Sequence, residues 1–363
     1  MARLLFIRYK KSRDILEGGE QCSQKNLDAY RSVLGDDNVD VLYIHDETRG
    51  HSAMDYLRAL VWFPFGYHFG LTPLRVRSIV KKAEGYDFLH IDRSVFGIIA
   101  KKAKKAGYKG RVTVFFHNIE KTYFKAKFSG KIGESIVCRC ADRNDCWSCE
   151  WADKVIALNE RDSASLEKTY GRKADIIAPI LFKDRCKKAA FPSEMTSAKP
   201  SCLFVGAYFA ANNEGIEWFI RNVYPHVNIT LKIVGRGMDR LNGSGWLCKD
   251  IELVSDAPSL EPYFMQSDLM ILPIFKGSGM KVKTCESLMY GKNILATDEA
   301  WEGYELDCEK AGGRCNSAEE FIAKIKEFEN NPKPRFNAYS RQVYLEKYSD
   351  SNAAETFKAA LYD

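Results

Sequence analysis

The sequence predicts an α/β protein of two doubly wound, parallel-sheet domains, and three observations carry that prediction. Short apolar runs alternate with segments of helical period, as expected for strands buried on both faces beneath covering helices. The alternation occurs twice, and residues 183–200 (KDRCKKAAFPSEMTSAKP) separate the two series: they are polar, hold two prolines and show no apolar period. Glycines directly follow several of the runs, where a doubly wound sheet binds its ligands. The expected division is a first domain over 1–182, a linker over 183–200, a second domain over 201–335 and a closing helix over 336–363. A length of 363 residues with 45% apolar side chains is ample for two cores.

In the first domain, strands are expected at residues 4–7 (LLFI), 39–44 (VDVLYI), 88–91 (FLHI), 112–116 (VTVFF), 154–158 (KVIAL) and 174–178 (ADIIA). A loop holding Gly18 and Gly19 follows the first run, and a helix is expected from 23 to 34. Gly18, Gly19, Asp92 and His117 each follow or end a strand, so all four are expected to face one crevice. His117 is either a structural histidine or a ligand for a sugar hydroxyl or a leaving phosphate. Asp92 either caps the helix that begins after Ser94 or contacts a substrate. The aromatic stretch 59–73 (ALVWFPFGYHFGLTP) reads as core and loop, or as an interfacial contact. Cys138, Cys140, Cys146 and Cys149 lack the two separated knuckles of a zinc site and read as part of a long helix.

The second domain restarts with strands at 202–205 (CLFV), 231–234 (LKIV), 251–254 (IELV), 269–273 (LMILP) and 294–297 (ILAT). Gly206 follows the first of these, and Gly235-Arg236-Gly237 the second. No acidic residue lies at the dinucleotide spacing after Gly206, which argues against NAD. Residues 277–291 (GSGMKVKTCESLMYG) are the most informative stretch: a glycine turn after a buried strand, then a helix that Gly291 stops. Free amides at Gly277, Ser278, Gly279 and Met280, together with the helix dipole, favour an anion there. Lys281 and Lys283 place two cations in the first turn. That placement is unfavourable by about 0.3–1 kcal/mol each without an anion, so a phosphate or pyrophosphate is expected. Glu286, further along the helix, suits a ribose diol. Glu302 overlooks the same crevice and contacts a sugar or caps a turn.

Composition sets outer limits. The net charge is +6, and all of the positive excess lies in residues 1–182. Its clusters are Lys101, Lys102, Lys104, Lys105, Lys109 and Arg111, and Lys121, Lys125, Lys127 and Lys131. They read as solvated helix faces, or as a surface for an anionic bilayer or a phosphate-bearing lipid. Nucleic acid is disfavoured, since no aromatic-basic binding motif accompanies the charge. The N-terminal run is too short for a signal peptide, and no run of eighteen apolar residues occurs. Eleven cysteines without an export signal imply reduced thiols and a cytoplasmic protein, with possible peripheral contact at the inner membrane face.

With the loop 293–303 (NILATDEAWEG), the 277–291 motif resembles the nucleotide-sugar site of family-4 retaining glycosyltransferases of the GT-B fold, in the branch with Gly-Ser-Gly-Met-Lys-Val-Lys. The resemblance implies two Rossmann-like domains facing a central cleft, with the closing helix packed back on the first domain. It implies that Glu286 binds the nucleotide ribose and that Ser278 replaces the family's first glutamate. It also implies that His117 contacts the donor hexose. The arginine and lysine that the family often carries after the first glycine are missing from AYFAANNEG, so Lys281 or Lys283, with Arg236 helping, supplies that charge.

The expected activity is transfer of a sugar from a nucleotide diphosphate sugar to a glycan or lipid-linked acceptor in bacterial-type polysaccharide assembly, with retention implied by the resemblance alone. His117, Lys281 and Gly19 are the expected catalytic groups. Gly18, Gly19, Gly206, Arg236, Gly277, Ser278, Gly279, Met280, Lys281, Lys283 and Glu286 are expected to bind the donor, and Asp92 and Glu302 the acceptor. No cofactor and no metal are expected, because lysines and helix-terminal amides can meet the charge on the leaving phosphate. Two alternatives stay open: an inactive glycosyltransferase-like partner, favoured by Ser278, and a nucleotide-sugar epimerase.

Overall fold

The computed structural model describes residues 2–11, 18–46, 61–128, 130, 133–186, 199–277 and 279–363. The chain forms two compact units, Met1–Leu181 with Asp350–Asp363, and Phe182–Ser349. Each is built on a six-stranded sheet whose described pairings are all parallel.

The first sheet comprises β1 (Leu4–Lys11), β2 (Val39–Asp46), β3 (Phe88–Ile91), β4 (Arg111–Phe116), β5 (Lys154–Ala157) and β6 (Ile176–Ile177), in the order β2-β1-β3-β4-β5-β6. Its inner strands are largely apolar because both faces are covered. Leu5, Ile7, Leu89, Ile91, Val112, Val114 and Phe116 enter one core layer with the helices Pro73–Ala83 and Gly97–Lys105. Phe6 and Phe115 are buried too, against the helices Gly18–Leu34 and Ala353–Tyr362, whose Tyr30 and Phe357 rings meet edge-on at 4.8 Å.

The second sheet holds β7 (Ser201–Val205), β8 (Thr230–Gly235), β9 (Glu252–Ser255), β10 (Leu269–Leu272), β11 (Asn293–Ala296) and β12 (Gly312–Arg314), in the order β12-β11-β10-β7-β8-β9. Strand order therefore reverses between β1 and β3 in the first unit and between β7 and β10 in the second. Such switch points open a crevice at the carboxyl ends of the strands.

Three expectations need correction. Gly18 and Gly19 are the first residues of the helix Gly18–Leu34 and not part of a loop before it. Glu20 explains the earlier start: it is buried in the first turn, 3.3 Å from Arg8 and 3.8 Å from Arg93, so those residues are drawn into the helix. The closing segment is not one helix packed on the first unit. The helix Ala338–Val343 and the π-turn Tyr344–Tyr348 belong to the second unit, where Arg341 binds Asp184 and the Tyr344 hydroxyl donates to the Phe182 carbonyl at 2.6 Å. Only Asp350–Asp363 belongs to the first unit. The expected linker likewise begins inside the second unit, which includes Phe182 to Cys186; residues 187–198 lie outside the described residues. The four clustered cysteines share the helix Glu134–Trp151, and among the described residues no three His, Cys, Asp or Glu side chains are placed so that they could hold a metal ion. No described helix is long and apolar enough to cross a membrane.

Candidate functional site

In the second unit, β7 and β8 deliver two glycine loops to the switch point. Gly235 has φ +156°, and a Cβ there would sit 1.9 Å from the Gly206 carbonyl oxygen, so the loops touch through bare backbone. Hydrogen bonds from Gly206 N–H to the Val234 carbonyl (3.0 Å) and from Tyr208 N–H to the Arg236 carbonyl (2.8 Å) hold them together. Arg236 takes part in this contact through its backbone, and the residue is exposed.

Across the crevice, β10 leads through Gly277 and Gly279 (φ +61°) to the helix Val282–Met289. Met280 is buried in this turn. Ser278 lies outside the described residues. The two lysines divide. Lys281 turns back to Glu299, with Nζ 2.6 Å from Oε1 and 2.8 Å from the Gly279 carbonyl, and the pair is largely buried. Lys283 reaches into the switch point. Its Nζ donates to Asn212 Oδ1 at 2.6 Å, lies 4.6 Å above the Phe204 ring, and is 3.0 Å from where a Cβ on Gly206 would be. Burial, helped by the nearby Lys281 charge, pushes the Lys283 ammonium down to about 7.

Glu286, one turn further on, is buried and bonded to Arg185 at 2.9 Å. Burial raises its carboxyl despite Arg185. Glu302 follows the short helix Asp298–Trp301 and is half-buried. At the end of β9, Asp256 is the one non-glycine residue with positive φ among the described residues (+53°), and the Ser255 hydroxyl lies 2.7–2.8 Å from both the Asp256 and Asp239 carboxylates. Sequence reasoning missed Asn212 and Arg185. Asn212 carried a signal in the Asn-rich turn opening the helix Ala210–Asn222; Arg185, in a polar linker pattern, carried none.

In the first unit a buried polar cluster occupies the carboxyl ends of β3 and β4. Asp92 is fully buried and takes a hydrogen bond from Asn26 Nδ2 at 2.8 Å; His90 Nε2 lies 3.6 Å away and His117 Nε2 3.4 Å. It does not cap the turn Ser94–Phe96, which has no side-chain cap. Burial opposes a charged His117, but Cys22 and Asp92 overcome it and lift the imidazole to about 9. Cys22 is held below the usual thiol range: burial works against this, while Lys25 and His117 outweigh it. Arg93 packs at the start of the first helix, where a Cβ on Gly19 would meet its Nη2 at 2.9 Å. The structure thus brings together Gly19, Asp92 and His117, and adds Cys22, Asn26 and Arg93, which the sequence did not single out. Gly18 opens the same helix.

Residues 199–331 match the family described as Glycosyl transferases group 1. A search among curated proteins finds no match. Among solved structures, the sucrose-phosphate synthase of Thermosynechococcus elongatus is similar at a TM-score of 0.74 and 14% identity, over 99% of this chain and 98% of that one. HepE of Anabaena in complex with UDP-glucose is similar at 0.66 and 13% identity, over 99% of both chains. The α,α-trehalose 6-phosphate synthase of Burkholderia multivorans is similar at 0.61 and 13% identity, over 99% of this chain and 96% of that one. The fold is the two-domain, Rossmann-like GT-B fold, and the match to the glycosyl transferases group 1 family lies within its second unit.

Proposed function

We propose that this glycosyltransferase takes a nucleotide diphosphate sugar at the β7–β10 switch point of its second unit and passes the sugar to a glycan or lipid-linked acceptor. The observation that carries the reading is Lys283, a half-buried ammonium aimed at the Gly206 loop beside the N-terminus of the helix Val282–Met289. Breaking the anomeric C–O bond leaves both electrons on the diphosphate. A cation and helix-terminal amides stabilise that charge most where water is excluded. We assign the diphosphate to Gly206, Gly277, Gly279 and Lys283, with Lys281 and Arg236 beside them and Glu286 on the ribose once Arg185 is displaced. The backbone around Asp256 is our site for the base.

The finer reading is a family-4, retaining enzyme of polysaccharide assembly, independent of metal. The acceptor oxygen then attacks from the face the diphosphate leaves, and its proton passes to the leaving phosphate. His117, as an imidazolium, adds positive charge in the first unit, where we place the acceptor, with Asp92 holding it; Glu302 is our contact to a sugar in the second unit. An inactive partner protein is the second reading, favoured because Lys281 and Glu286 already have Glu299 and Arg185 as partners.

Thermal shift with UDP-, GDP-, ADP- and CMP-sugars, on the wild type and on Lys283→Met, decides between them. A specific donor stabilises the fold by about 2.7 kcal/mol at a hundred times its Kd. One donor should give a shift that Lys283→Met abolishes. Absence of any shift across the panel would sink the transferase reading and leave the inactive partner.

A further inference from the structure

Among the buried carboxylates of the first unit, one that the reading above does not use stands apart. Glu120 opens the helix Glu120–Phe128, three residues after His117. It is 1% exposed, and neither of its carboxylate oxygens has a hydrogen-bond partner among the described residues. Arg93, His117 and Lys127 are the cationic groups that act on it, while burial pushes its carboxyl up. Arg93 is equally incomplete: its guanidinium reaches Glu20 at 3.8 Å and lies over the Tyr9 ring, yet its buried Nε–H has no hydrogen-bond partner among the described residues.

A buried polar group without a partner is costly, and native structures keep few of them. Here an orphaned acceptor and an orphaned donor lie at the carboxyl ends of neighbouring strands, where doubly wound sheets bind ligands. The mixture defines the ligand's chemistry. A phosphate only accepts, so it would satisfy Arg93 and be repelled by Glu120; an ammonium only donates, so the reverse holds. A hydroxyl both donates and accepts, and a pair of neighbouring hydroxyls answers both groups at once.

We propose that Glu120 and Arg93 form a sugar-hydroxyl subsite in the first unit, in which the carboxylate accepts from one hydroxyl and Arg93 Nε–H donates to its neighbour. The assignment rests on the glycosyltransferase reading, and the hydroxyls belong either to the transferred sugar of the donor or to the acceptor.

Glu120→Gln keeps the shape and removes the charge; Glu120→Asp keeps the charge and withdraws it. Three measurements are made on each: UDP affinity by calorimetry, UDP release from UDP-glucose in the absence of acceptor, and saturation-transfer NMR with methyl glycosides of glucose, mannose and galactose. UDP affinity should stay unchanged in both variants, because the subsite takes no part in nucleotide binding. Losing a hydrogen bond to a charged group costs roughly ten- to hundredfold, and that loss should appear in one of the other two measurements. A loss in UDP release assigns the subsite to the donor sugar, and a loss confined to the NMR signal assigns it to the acceptor. Glu120→Gln should also match or exceed the wild type's urea midpoint, since it removes an unpaired buried charge; a purely structural glutamate would instead lower it. Unchanged UDP release and unchanged NMR signals in both variants overturn the proposal. Failure of wild-type protein to bind UDP or any other nucleotide overturns the donor assignment only, and the glycoside signals still decide the subsite.

Discussion

Two titrating groups, a half-buried lysine in one unit and a buried histidine in the other, tie single residues to measurable pH dependence. Lys283 is lowered to about 7 by burial and by Lys281, so it titrates near neutral pH. A bound diphosphate favours the charged form, and donor binding should therefore take up a proton. Affinity should weaken above pH 7 by up to about tenfold per pH unit, and Lys283→Met should remove that slope. Calorimetry in two buffers of different ionisation enthalpy reads the proton directly. His117 is shifted in the opposite direction by the fold, upward. Its folded value of about 9 lies above the unfolded imidazole value. The stability it contributes is fully present below about pH 6.5 and is lost as pH rises through 9. The difference in urea midpoint between wild type and His117→Gln should shrink from pH 6.5 to pH 9.5. A difference that stays constant would mean that His117 is neutral in the fold.

At the scale of elements, close backbone contacts set where the site residues stand. A Cβ on Gly215 would lie 2.0 Å from the Pro273 carbonyl oxygen, so the helix Ala210–Asn222 can seat against the end of β10 only with glycine there. Gly215→Ala should cost about 1–3 kcal/mol, as overpacking does, and should weaken donor binding because that helix supplies Asn212. Gly245→Ala, with no atom within 4 Å of its added methyl, is the control for the thermal melt. Packing of this kind also explains what the sequence could show. Strands buried on both faces read as plain apolar runs, which is why 88–91 and 269–273 were legible to within a residue. The glycine turn before Lys281 was legible because its chemistry is local. The split of the two lysines between Glu299 and Asn212 was not, since it depends on where loops distant in sequence come to rest. For the same reason Arg185 was invisible as the partner of Glu286, and Gly18-Gly19 was mistaken for a loop: only the fold shows that Glu20 is pulled inward by Arg8 and Arg93.

For the whole molecule, the uneven charge of the sequence acquires a place. The positive excess lies in the first unit, where Lys101 stacks 4.0 Å over Trp147 and Lys105 lies 5.6 Å over Trp151. Trp62, Phe65, Pro73, Lys101, Lys102 and Arg143 line a shallow depression of about 390 Å³, and Val61, Phe65 and Leu74 are exposed apolar side chains of the same segment. Apolar side chains ringed by basic ones suit the headgroup region of an anionic bilayer, so we propose this face for a peripheral membrane contact. Each basic residue near such a surface contributes about 1 kcal/mol, and the attraction falls off within a Debye length of about 10 Å at 0.1 M salt. Phosphatidylglycerol vesicles should therefore co-sediment the protein at low salt and release it at 0.5 M, while phosphatidylcholine vesicles should not bind it. Lys101→Glu with Lys102→Glu should reduce the bound fraction without changing donor affinity, because these residues lie in the unit that we do not assign to the nucleotide. Phe65→Ser with Leu74→Ser separates the apolar from the electrostatic share: binding that survives it at low salt but vanishes earlier with added salt means that the side chains insert. Equal binding to both kinds of vesicle, or none to either, would mean that the basic faces are only solvated helix surfaces.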